Sequence, residues 1–65
     1  MLDSIQVIIP ALDEEGPIGG VVDALLAQGL TRIRVMDNGS TDRTAHVARD
    51  AGAEVLPVPV RGYGR

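Results

Sequence analysis

The stretch Ile33-Arg34-Val35-Met36-Asp37-Asn38-Gly39-Ser40-Thr41-Asp42 decides the fold. A β-branched alternation, Ile33 to Met36, reads as a strand that ends at Asp37. Asn38-Gly39-Ser40 is strong turn punctuation. Ser40 or Thr41 then suits the cap of a helix, with Asp42 expected in its first turn, where a carboxylate meets the positive end of the helix dipole. Thr44, Val47, Ala48 and Ala51 fall on one side of that helix. Arg43, His46 and Asp50 fall on the other, and Gly52 reads as a left-handed C-terminal cap.

Working outward, the same grammar repeats. On the N-terminal side, Ile5-Gln6-Val7-Ile8-Ile9 reads as a strand stopped by Pro10. A polar loop, Ala11 to Gly16, leads to Pro17, which suits the first turn of a helix. Ile18, Val21, Val22, Leu25 and Leu26 then form one apolar stripe, and Gly29 is the stop. Gly19-Gly20 weakens the start of this helix; close backbone packing on the sheet is the expected reason, with room for a ligand the alternative. On the C-terminal side, Ala53 to Leu56 is a short third strand ended by Pro57. The tail to Arg65 is loop-like. The order is β-α-β-α-β, which predicts an α/β fold with a parallel sheet and right-handed crossovers. With strand order 3-2-1 both helices fall on one face of the sheet, and the other face is left without cover.

Composition narrows the function. The chain has 65 residues and no cysteine, which excludes a disulfide framework and a cysteine-based zinc site. A chain this short buries only about 60% of the surface its unfolded form exposes. There is no Phe, no Trp and a single Tyr, so aromatic side chains do not make up the shortfall. The formal net charge is -3, and all six basic residues are scattered arginines, which argues against binding a nucleic-acid backbone. No apolar run reaches the length of a membrane span and no signal peptide is visible. The cytosol is the expected setting, or the cytoplasmic side of a membrane in a longer parent chain.

Ligands of an open parallel sheet bind beyond the carboxyl ends of its strands. That edge gathers Asp13, Glu14, Glu15, Asp37 and Asp42, five of the nine acidic residues. The glycine fingerprint of dinucleotide folds and the phosphate-binding loop with its lysine are both absent. Carboxylates repel a pyrophosphate. They suit ribose hydroxyls, the N–H edge of a base, or Mg²⁺ or Mn²⁺. A nucleoside is the expected ligand. The plainer role for Glu15 and Asp42 is at helix N-termini, and for Asp37 an Asx-turn. His46 and Asp50 read as an exposed i,i+4 pair, Met36 as core filler, and Tyr63 as either a stacking or a packing residue.

Three segments carry a resemblance. Val7-Ile8-Ile9-Pro10-Ala11-Leu12-Asp13-Glu14-Glu15 resembles the opening strand and loop of family-2 glycosyltransferases. Val35 to Thr44 is similar to their second strand and turn. Arg61-Gly62-Tyr63-Gly64-Arg65 is similar to a loop of the branch that includes dolichyl- and polyprenyl-phosphate sugar transferases. The resemblance implies a GT-A, Rossmann-like fold, a nucleotide-diphosphate-sugar donor, and a polyprenyl phosphate or other acceptor. It implies that Pro10, Ala11 and Glu14 line the nucleoside pocket, with Glu14 at the ribose, and that Asp37 recognises the base. It implies that Asp42 holds the turn, and that Gly62 and Gly64 let a donor loop approach closely. Asp13 stands where Asn is more usual, and Asn38 where Asp is frequent.

The metal-binding Asp-x-Asp of that family and its general base lie further along a parent chain. Residues 1–65 are therefore expected to be the N-terminal portion of one such domain. They contain no catalytic residue and no ligand of the Mg²⁺ or Mn²⁺ expected in the parent. The alternative is a non-catalytic nucleotide-binding module that covers its bare sheet face by self-association.

Overall fold

A computed structural model describes residues 4–58. Arg61 to Arg65, and with them the readings of Gly62, Tyr63 and Gly64, lie outside the described residues. The elements are β1 (Gln6–Ala11), α1 (Ile18–Ala27), β2 (Arg32–Asp37), α2 (Thr44–Ala51) and β3 (Glu54–Pro57). The strands lie in the order β1-β2-β3, and both neighbouring pairs are parallel. This is the α/β alternation expected from the sequence.

The strand alternation sets the core. Ile33 and Val35 on β2 are buried, with Val35 fully so, and they meet Ile18 and Val22 of α1 and Ala48 of α2. Val7, Ile9 and Val55 pack around this cluster from the flanking strands. Side chains alternate across a strand, so Ile8, Arg34 and Glu54 share the opposite face, as do Pro10, Met36 and Leu56. No described element covers that face, and Ile8 is 56% exposed. Arg34 Nε is paired across the strands with Glu54 Oε1 at 3.0 Å.

Four local readings are corrected. Pro10 does not stop β1, which runs on to Ala11. β1 is an edge strand here, where a residue lacking an N–H can sit without breaking a ladder. Val21 is 42% exposed and stands outside the apolar stripe. At roughly 100° per residue it lies on the flank of Ile18 opposite to Leu26, and α2 packs on the Leu26 side, so nothing covers Val21. Gly19 serves the contact between helices, not the sheet: a Cβ there would meet Val47 Cγ1 at 3.1 Å, whereas nothing lies within 4 Å of one at Gly20.

Finally, α2 starts at Thr44. Neither Ser40 nor Thr41 caps it, and its first turn holds no acidic residue. The reason is that Ser40, Thr41 and Asp42 are engaged with the loop after β1, described below. The expected C-terminal cap is present, with Gly52 at φ 115° and Ala53 N donating to Ala48 O at 3.1 Å.

Candidate functional site

The parallel register brings three strand ends together around Asp37. Ala11 lies beside it on one side and Pro57 on the other. The backbone continues the alignment past the strands: Asn38 N donates to Ala11 O at 2.8 Å, and Val58 N donates to Asp37 O at 2.7 Å. Gly39 at φ 87° turns the chain so that Ser40 N donates to Asp37 Oδ1 at 3.0 Å. The Asp37 side chain thus holds its own turn, as expected, but on the amide three residues on and not the two of an Asx-turn. It uses one carboxylate oxygen; the other has no partner among the described residues.

The loop after β1 and the loop after β2 are laced to each other through side chains. Three consecutive amides of the first loop are each accepted by a side chain of the second segment. Asp13 N donates to Ser40 Oγ at 2.9 Å, Glu14 N to Thr44 Oγ1 at 2.7 Å, and Glu15 N to Asp42 Oδ2 at 3.2 Å. The bonding is reciprocal. Asp13 Oδ1 accepts from Thr41 N at 2.8 Å, and Glu15 Oε1 accepts from Arg43 N at 3.1 Å. Asp42 Oδ1 accepts from Thr44 N at 2.9 Å and also from the Thr44 hydroxyl. Asp42 thus holds the first amide of α2 from two residues upstream, doing part of a cap's work. Asp13 adopts φ 52°, a left-handed conformation that short polar side chains tolerate better than most.

This lacing sorts the five acids. Asp13, Glu15 and Asp42 are committed to N–H groups. The role suggested for Glu15 at its own helix end is replaced by bonding to the facing segment, whereas Asp42 serves both, one oxygen on the first amide of α2 and the other on Glu15 N. The Glu14 carboxylate is exposed and has no hydrogen bond among the described residues; Asp13, Glu15 and Asp37 each bond through one oxygen, Asp37 only inside its own turn. Pro10 is exposed and Ala11 is buried at the end of the same strand. The structure therefore brings Ala11 and Asp37 side by side and seats Glu14 through its backbone on Thr44. Sequence reasoning missed Thr44 as part of this edge and placed it only in a buried stripe. It is fully buried, and a polar residue at the start of an otherwise apolar helix face was the available signal.

The hydroxyl of Thr44 is the main cause that holds the Asp42 carboxyl below its ordinary value of 3.8, helped by amides that include that of Glu15 and opposed by partial desolvation. A depressed folded-state value means a contribution to stability that is complete above pH 3.8 and is lost as pH falls below it through the folded value. We expect Asp42→Asn to lower stability at pH 7, and the gap to wild type to narrow as the pH drops below 3.8. Denaturant unfolding of both proteins across that range checks it; a gap that stays constant would show that the Asp42 charge does not matter.

Among the described residues no group of three or more His, Cys, Asp or Glu is arranged to hold a metal ion. Asp13, Glu15 and Asp42 spend carboxylate oxygens on amides, and Glu14 and Asp37 do not gather with them into such a group. No described helix is long and apolar enough to cross a membrane. His46 and Asp50 form the expected exposed pair, at 3.2 Å, on the outer side of α2. A cleft lined by Gln6, Thr31, Arg32, Arg34 and Glu54 lies at the opposite end of the strands and touches none of the converging acids.

The profile of the family described as Glycosyl transferase family 2 matches residues 6–65. The chain belongs to that family. Protein RfbJ of Shigella flexneri is 47% identical over 62 residues, a match that takes in 94% of this chain and 48% of that protein. Glucosyl-3-phosphoglycerate synthase of Mycolicibacterium paratuberculosis is 48% identical over 56 residues, covering 82% of this chain and 17% of its own. The chain thus spans about half, or much less, of the family-2 proteins it matches.

Among solved structures, glucosyl-3-phosphoglycerate synthase from Mycobacterium tuberculosis in complex with Mn²⁺, UDP-glucose and phosphoglyceric acid superposes with a TM-score of 0.77 at 34% identity. That match covers 92% of this chain and 27% of the other. A UDP complex of the same enzyme gives a TM-score of 0.78. The sheet and helices of this family-2 chain are those of the GT-A, Rossmann-like fold.

Proposed function

We propose that the full chain is a nucleotide-diphosphate-sugar-dependent glycosyltransferase and that the edge built by Pro10, Ala11, Glu14 and Asp37 holds the nucleoside of the donor. One observation carries this reading. Of the five acids gathered at the strand ends, Asp13, Glu15 and Asp42 spend carboxylate oxygens on amides of the facing segment. The other two, Glu14 with no hydrogen bond to its carboxylate among the described residues and Asp37 with a bond only inside its own turn, are the two the family resemblance assigns to ribose and base. Acceptor oxygens at a strand edge suit hydroxyls and base N–H groups and repel phosphate. The diphosphate therefore extends away from these residues, and its neutralisation by Mg²⁺ or Mn²⁺ uses ligands outside this chain. Complexes of a family relative with UDP-glucose and Mn²⁺ support this choice of donor class.

In the same proposal residues 1–65 are the N-terminal portion of one larger domain, whose remainder covers the bare sheet face and supplies the catalytic acids. The possible donor loop at Gly62 and Gly64, and a polyprenyl phosphate as acceptor, rest on the similarity of Arg61 to Arg65 alone. The names of the family relatives include other acceptors, phosphoglyceric acid among them. The rival, a non-catalytic self-associating module, is favoured by the exposed apolar face around Ile8.

The test is titration of the full chain with uridine diphosphate at fixed Mn²⁺, wild type against Glu14→Gln. We expect roughly tenfold weaker binding in the variant, the loss of a charged hydrogen-bond acceptor. Equal affinity would remove Glu14 from the site. Sugar transfer from UDP-glucose to water or acceptor separates the enzyme from the module.

A further inference from the structure

Resting on that reading of the site, we infer that Thr44 is a positioning residue for nucleotide binding, acting through the backbone of Glu14. Thr44 is the buried polar side chain of the described core. Its hydroxyl makes two bonds with opposite roles: it donates to Asp42 Oδ1 and accepts from Glu14 N at 2.7 Å. Committing the hydroxyl proton to a carboxylate leaves a lone pair for the amide, so the orientation of the group is fixed.

Glu14 is the middle of the three laced amides, and its own carboxylate is the one that bonds to nothing in the described chain. Its position is therefore set by its backbone. The bonds at Asp13 N and Glu15 N are exposed, so water replaces them at little cost. The Thr44 bond is part-buried, where an unmatched amide is expensive. Thr44 also begins α2, so it ties Glu14 to an element packed in the core through Ala48. A side chain presented from a rigid element is placed better than one on a free loop.

The experiment is a double-mutant cycle on uridine-diphosphate affinity in the full chain at fixed Mn²⁺, using Thr44→Val, Thr44→Ser, Glu14→Gln and the Thr44→Val/Glu14→Gln double variant. Thr44→Val keeps the shape and removes the hydroxyl, and we expect roughly tenfold weaker binding. Thr44→Ser keeps the hydroxyl and is expected to stay within about threefold of wild type. The double variant is expected to bind no worse than Glu14→Gln alone, because Thr44 has nothing to position once that carboxylate is gone.

Equal losses in Thr44→Val and Thr44→Ser, or losses that multiply in the double variant, overturn the inference and leave the donor site standing. Wild-type affinity in Glu14→Gln overturns both. If Thr44→Val does not fold, Thr44→Ala takes its place in the same cycle with the same expected non-additivity, since the smaller side chain lets the Glu14 amide find water.

Discussion

Asp37→Asn is expected to weaken uridine-diphosphate binding to the full chain by roughly 10- to 100-fold while leaving the melting temperature within a few degrees. The separation follows from the two oxygens of this carboxylate. Oδ1 accepts from Ser40 N and closes the turn at Gly39, and an asparagine carbonyl can take over that bond. The other oxygen has no partner among the described residues. In the variant it becomes an amide donor, and a donor facing the N–H edge of a base is mismatched where the carboxylate was matched. Asp37→Ala removes both oxygens, so it is expected to lose binding and to loosen the turn as well. Calorimetric titration and thermal unfolding of the two variants side by side measure the split. Wild-type affinity in Asp37→Asn would confine Asp37 to its turn and leave the base without its expected partner.

The strand pattern was legible because it is local. Ile33 and Val35 alternate with Arg32 and Arg34, and that alternation alone orients β2 in the sheet. The cap at Gly52 was legible for the same reason. The misread positions depend on what lies beside them. Pro10 fits within β1 because no described strand lies on its outer side, and Val21 is exposed because α2 packs on the other flank of α1.

The start of α2 is the most instructive case. Ser40, Thr41 and Asp42 are all good capping residues, and any of them satisfies a local rule. All three bond to a loop 27 or 28 residues away, Asp42 while also holding the Thr44 amide, and Thr44 bonds to an amide 30 residues away. Topology placed five acids at one edge from sequence alone. Which of them would bond across to the facing segment depended on those distant amides, and that leaves Glu14, with an unbonded carboxylate, and Asp37, bonded only within its own turn, as the candidates for a ligand.

Ile8→Asp is the variant that reports on the uncovered sheet face, and the sign of its effect discriminates. Ile8 stands opposite Arg34 in the β1–β2 register, and Arg34 already pairs with Glu54. On a face open to water, a carboxylate at position 8 joins this pair and removes an exposed apolar group. Cross-strand opposite charges contribute roughly 0.2–1 kcal/mol, so stability there is unchanged or slightly raised.

On a face covered by the remainder of the domain, the same carboxylate is buried beside Pro10, Met36 and Leu56 with one partly exposed arginine in reach. Burying a poorly paired charge costs about 3 kcal/mol or more. We expect the second outcome for the full chain, read by denaturant unfolding, with the loss independent of protein concentration. A loss that grows on dilution, accompanied by a halved solution mass, would assign the cover to a second copy and favour the self-associating module. No loss would mean that the face is solvated and that the two helices on one side, with the small core around Val35, are sufficient to hold the loops that carry Glu14 and Asp37.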